Sequence, residues 1–178
     1  MRTGAGRPGL LSRLTGWGIT AGMVLLALMA GLVVLQVLAR NLAATGLPWA
    51  DELARFCGIG LVFLGVPALA GRGVMVSVTV LPDAASPPAR RRMVLVGDLA
   101  TLAFAALLLW SFADFLPRAG KFLTPAMRAP NWVYYSLALT GSLLLAAVAL
   151  KRVIAGLRGA DPDSDFATEA AAPQVPRP

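Results

Sequence analysis

Residues Leu14 to Ala39 read LTGWGITAGMVLLALMAGLVVLQVLA, 26 positions without a charged side chain between Arg13 and Arg40. About 20 apolar residues suffice to carry a helix across the hydrocarbon core of a bilayer, so this stretch is long enough to span one. A second gap of 22 uncharged positions lies between Arg128 and Lys151. The whole chain agrees: 57% of its 178 residues are apolar, 14% are charged, and the mean hydropathy is +0.71. A soluble domain of this size rarely has such a composition.

Two further spans are less regular. Between Arg55 and Arg72 only 16 positions are uncharged, so a spanning helix there must recruit the turn Trp49 to Arg55 as its interfacial end. The run Met93 to Leu116 is long enough but carries Asp98 and Asp114 near its two ends. The expectation is an all-α integral membrane protein with four transmembrane helices, at about Trp17–Ala39, Trp49–Ala70, Met93–Leu116 and Trp132–Ile154. Together they make a membrane domain over residues 1–158. The tail 159–178 has four acidic residues and a closing Pro-Gln-Val-Pro-Arg-Pro but no apolar period, and is expected to be disordered in the cytoplasm. The first span follows Arg2, Arg7 and Arg13 like a secretory signal, but its core is much longer than a signal's, which favours an uncleaved signal-anchor.

Orientation follows from the basic residues. Eleven of the 16 Lys and Arg fall before the first helix, in the middle loop or after the last helix, and five fall on the opposite side. That asymmetry places both termini and the middle loop in the cytoplasm. The net charge of +7 then calls for no nucleic acid, because the basic residues act as topology determinants beside the lipid headgroups. Ser86-Pro87-Pro88 supplies an N-cap and prolines in the first turn of the third helix, with Arg90, Arg91 and Arg92 at headgroup level.

Little in the chain suggests catalysis. It has no histidine, which removes bis-His haem ligation and most zinc chemistry, and no Gly-rich phosphate loop or activated nucleophile. Its one cysteine, Cys57, reads as a packing residue. No catalytic, cofactor-binding or metal-ligating residue is assigned, and no cofactor is expected. Asp114 and Arg118 are spaced for a local ion pair. Asp98 is expected to pair with basic residues of the middle loop rather than to bind a coupling cation or proton, since one lone carboxylate makes a poor ion site. Gly18 and Gly22 fit the GxxxG helix-packing pattern, which is short and common.

The richest polar group is LPWADELAR, Leu47 to Arg55, together with the end of the first helix. Gln36 and Arg40 share one helix face; Glu52 and Arg55 share another. Arg40, Asp51, Glu52 and Arg55 balance their charges, and Trp49 is placed to anchor at headgroup depth. Two roles stand open for these six residues: a clasp that closes the hairpin of the first two helices, and a docking surface for another protein.

The ordered set Gln36-Val37, Arg40, Trp49, Glu52-Leu53-Ala54-Arg55 and Phe63-Leu64-Gly65, followed by a basic loop and by Pro130, Trp132, Tyr135 and Gly141, resembles the small membrane subunit of tripartite ATP-independent periplasmic (TRAP) transporters. The resemblance covers about Thr15 to Ile154. Where the family often has a His-Ile-x-Val-Asp stretch this chain has Met75-Val76-Ser77-Val78-Thr79, and a proline usual before the last-helix glycine is Leu139. The resemblance implies a scaffold in a bacterial inner membrane. Its implied partners are a large multi-helix permease that moves a carboxylate-type substrate with sodium and a periplasmic protein that delivers it. Two rivals are a self-contained small four-helix transporter, which would need a mid-membrane acid, and an anchor subunit for a redox enzyme, which would usually show haem histidines.

Overall fold

The computed structural model describes residues 10–71 and 86–159. Apart from one isolated β-bridge, its regular elements are four helices: α1 Leu10–Ala43, α2 Pro48–Gly71, α3 Pro87–Ala119 and α4 Trp132–Arg158. Each is long and apolar enough to cross a membrane. The stretch Met75 to Thr79, most of the middle loop and the tail beyond Gly159 lie outside the described residues.

The helices start and stop further out than the charge gaps suggest, most clearly α1 with 34 residues and α3 with 33. At about 1.5 Å per residue each is roughly 50 Å long, against a hydrocarbon core of about 30 Å. A charged residue ends an apolar run but not a helix, since Arg and Leu are both good helix formers. Thus Arg13 and the Arg90 to Arg92 triplet sit on helical turns. The α2 boundary follows local chemistry: Pro48 occupies the first helical position, where its missing N–H is not needed. The Ala50 N–H donates to the Leu47 carbonyl at 3.0 Å, and Asp51 stands in the first turn, where the helix dipole favours an acid. Ser86, in extended conformation, precedes the two prolines that open α3, and its side chain makes no cap hydrogen bond.

Packing runs in the order α1, α2, α4, α3, so the helices form a row of neighbours rather than a closed four-cornered bundle. Burial follows that order, with 33% of the most apolar window buried in each of α2 and α4 against 11% in α1 and 6% in α3. Small residues bring the inner helices together. The GxxxG pair is used: a Cβ at Gly18 would come within 2.6 Å of the Leu64 carbonyl oxygen, so the α1 backbone rests directly on α2.

Between α2 and α4 the approach is closer still, and it falls beside a proline. Pro67, buried inside α2, has no N–H to give the Phe63 carbonyl four residues earlier. Gly141 of α4 lies against that carbonyl, and a Cβ there would collide with both the oxygen and the carbon of the Phe63 peptide. Two apolar clusters flank this crossing. One joins Leu32 of α1 to Ala50, Ala54 and Cys57 of α2; the other joins Ala70, Ala105, Leu145 and Val148 across α2, α3 and α4.

Candidate functional site

Polar contacts between helices gather toward the two ends of the helices. At the end where α2 stops and α3 begins, Arg152 of α4 donates from Nε to Asp98 Oδ1 at 2.8 Å and from Nη1 to the Gly71 carbonyl at 3.1 Å. The two side chains are only 8% and 13% exposed. One guanidinium therefore ties three helices, meeting a carboxylate on α3 and the partly negative C-terminus of α2. Arg91 makes a parallel tie, donating from Nη2 to the Gly156 carbonyl near the end of α4 at 2.8 Å. Asp98 was expected to pair with the middle loop; it pairs with the last helix instead, because α3 and α4 pack side by side and bring residues 54 positions apart into register.

The opposite end carries the α1–α2 and α3–α4 connections. The longer of these, Gly120 to Asn131, folds back on itself. Thr124 N donates to the Ala129 carbonyl at 2.8 Å, Ala129 N to Thr124 Oγ1 at 3.0 Å, and Asn131 N to the Phe122 carbonyl at 3.0 Å. Arg128 takes φ 51 at the tip, and Leu123 bridges Pro130. This closed loop places the Met127 N–H 2.7 Å from Glu52 Oε2. Tyr134, at the start of α4, donates its hydroxyl to the Glu52 carbonyl at 3.2 Å, and its ring meets Phe56 edge-on at 5.2 Å. Glu52 is thus held to the second hairpin through both its side chain and its backbone.

Glu52 and Arg55 share a face of α2, but the ion pair that forms is a different one. Arg55 Nη2 lies 2.7 Å from Asp51 Oδ2, an i, i+4 pair with the acid first, while the Glu52 carboxylate faces the loop. Gln36 is half-buried, Arg40 and Trp49 are exposed, and neither Gln36 nor Arg40 makes a hydrogen bond or ion pair among the described residues. The six residues therefore divide: Asp51, Glu52 and Arg55 line one cleft, and Gln36, Arg40 and Trp49 do not. Tyr134 and the Met127 amide were missed; the only sequence signal was a tyrosine pair one turn after the Asn131-Trp132 helix start. Asp114 and Arg118 pair loosely at 3.5 Å on the surface.

Between α2 and the folded loop lies an open cleft of about 440 Å³, walled by Asp51, Glu52, Arg55, Asn131, Tyr134 and Tyr135 among others. Among the described residues no group of three His, Cys, Asp or Glu side chains is placed to hold a metal.

Comparison with protein families gives a match to the family described as tripartite ATP-independent periplasmic transporters, DctQ component, over residues 29–159. That interval covers about three quarters of the chain and all of α2, α3 and α4. The chain belongs to this family. With its four apolar helices it is a multi-pass membrane protein and a small permease component of a TRAP transporter, a family of transporter components and not of enzymes. Comparison with curated protein sequences gives no match.

Proposed function

We propose that this chain is the fixed scaffold of a three-part uptake system in a bacterial inner membrane, beside a large permease that moves a carboxylate-type substrate with sodium. A soluble extracytoplasmic protein delivers the substrate. Both termini and the α2–α3 connection face the cytoplasm, which puts the Glu52 end outside. The observation that carries the reading is the row arrangement: the polar contacts between helices sit toward the helix ends, and the flanks presented by α1 and α3 are apolar and uncovered, with Val24, Val34, Leu107 and Trp110 all more than half exposed. Such flanks suit a helical partner or lipid, and the one deep carboxylate, Asp98, is already engaged by Arg152. An alternating-access site of its own would need polar groups converging at mid-depth. Purification from cells that express all components should recover this chain with the large permease at one copy each. Sodium-dependent uptake by this chain alone in liposomes would overturn the proposal.

A further inference from the structure

Within the cleft the charges do not cancel. Asp51 and Arg55 neutralise each other at 2.7 Å. Glu52 is met by the Met127 N–H and has no cationic partner among the described residues. A backbone N–H orients a carboxylate without neutralising it. The rest of the wall is mostly apolar, with Pro48, Ile59, Pro125 and Ala126 beside Tyr134 and Tyr135, so the Glu52 charge stands in surroundings that screen it little. The cleft is open to solvent at Asp51 and Arg55, whose side chains are 47% and 75% exposed, and its 440 Å³ lies in the range of sites that admit a side chain or small ligand.

We infer that this cleft is a socket for one basic side chain, Lys or Arg, presented by the soluble extracytoplasmic partner, with Glu52 as its counter-charge. The inference rests on the function proposed above, which supplies the partner and the outward orientation. Glu52 then has two separable duties. One oxygen holds the folded loop through Met127, and the carboxylate charge receives the incoming cation. Arg55 opposes the second duty, since it covers Asp51 and repels a basic visitor, so the socket works at less than its full negative potential.

The two duties come apart in substitutions. Glu52→Gln keeps an oxygen to accept from the Met127 N–H and removes the charge. Arg55→Gln removes no hydrogen bond or ion pair to the loop and releases Asp51. The complex of this chain with its large permease, in nanodiscs of neutral lipid, is titrated with the binding protein of the same system at low and high salt. Wild-type affinity should fall with salt. Glu52→Gln should raise Kd roughly fivefold at low salt and flatten the salt dependence, and Arg55→Gln should lower Kd by a similar factor and steepen it. A destabilised fold cannot explain opposite shifts. Wild-type binding that both variants leave unchanged, or that both weaken, overturns the socket while sparing the proposed function. Wild-type complex that binds the soluble protein at no salt concentration overturns the proposed partner and the socket with it.

Discussion

Arg152 Nε stands 2.8 Å from Asp98 Oδ1, and the same guanidinium reaches the carbonyl of Gly71, so the ends of three helices depend on one cation. A buried ion pair is weak evidence of stability, but removing one member strands the other. Arg152→Met should therefore cost about 3–5 kcal/mol, and the double change Asp98→Asn with Arg152→Met should recover part of the loss. Thermal unfolding in detergent, followed by size-exclusion chromatography, reads both; equal losses in single and double variants would remove the pair from the account.

Gly141 meets a sharper test. Adding one methyl there drives a Cβ into the Phe63 peptide, so Gly141→Ala should destabilise the protein by about 1–3 kcal/mol, the usual range for overpacking. Gly31→Ala is the control, since a Cβ at Gly31 meets nothing within 4 Å. Matching melting temperatures for the two variants would mean that α2 and α4 are not in such close contact.

At the loop end the hydrogen bonds can be ranked. Tyr134→Phe loses the hydroxyl that reaches the Glu52 carbonyl while keeping the ring against Phe56, a loss of about 0.5–1.5 kcal/mol. Asp51→Asn breaks an exposed pair and should cost no more than about 1 kcal/mol. Glu52→Ala also strips the acceptor from Met127 and should expose the loop to proteolysis, whereas Asp51→Asn should not. Limited digestion of the purified variants compares them, and equal protection would count against the Glu52 tie.

Topology has its own measurement. Reporter fusions after Ala160 should behave as cytoplasmic and fusions near Thr45 as periplasmic. An extracytoplasmic C-terminus would remove the orientation on which the socket depends.

The spans were legible because hydrocarbon excludes charge, so a gap such as Arg13 to Arg40 is a physical length written into the sequence. Helix ends were not, because Arg and Leu continue a helix into the headgroups without marking its last turn. LPWADELAR is visible in the sequence as a polar island, but its contacts are not. The acid that pairs with Arg55 is Asp51, and Glu52 answers to a backbone N–H, a donor that every non-proline residue carries and no sequence position advertises. Asp98 and Arg152 were hidden by distance along the chain: α3 offers three arginines nearer in sequence, and only the helix order selects the one on α4. The GxxxG spacing is legible in the sequence, but spacing alone cannot reveal which helix it faces.

The Gly141 contact finally bears on the making of the protein. A ribosome delivers α2 to the membrane long before α4 exists, and until α4 arrives the face of α2 around Phe63, on which the Gly141 backbone rests, has no neighbour from that side. The α2–α4 crossing therefore forms only after α4 has entered the bilayer, and a chain truncated before Gly141 leaves that face of α2 to lipid or to a partner helix.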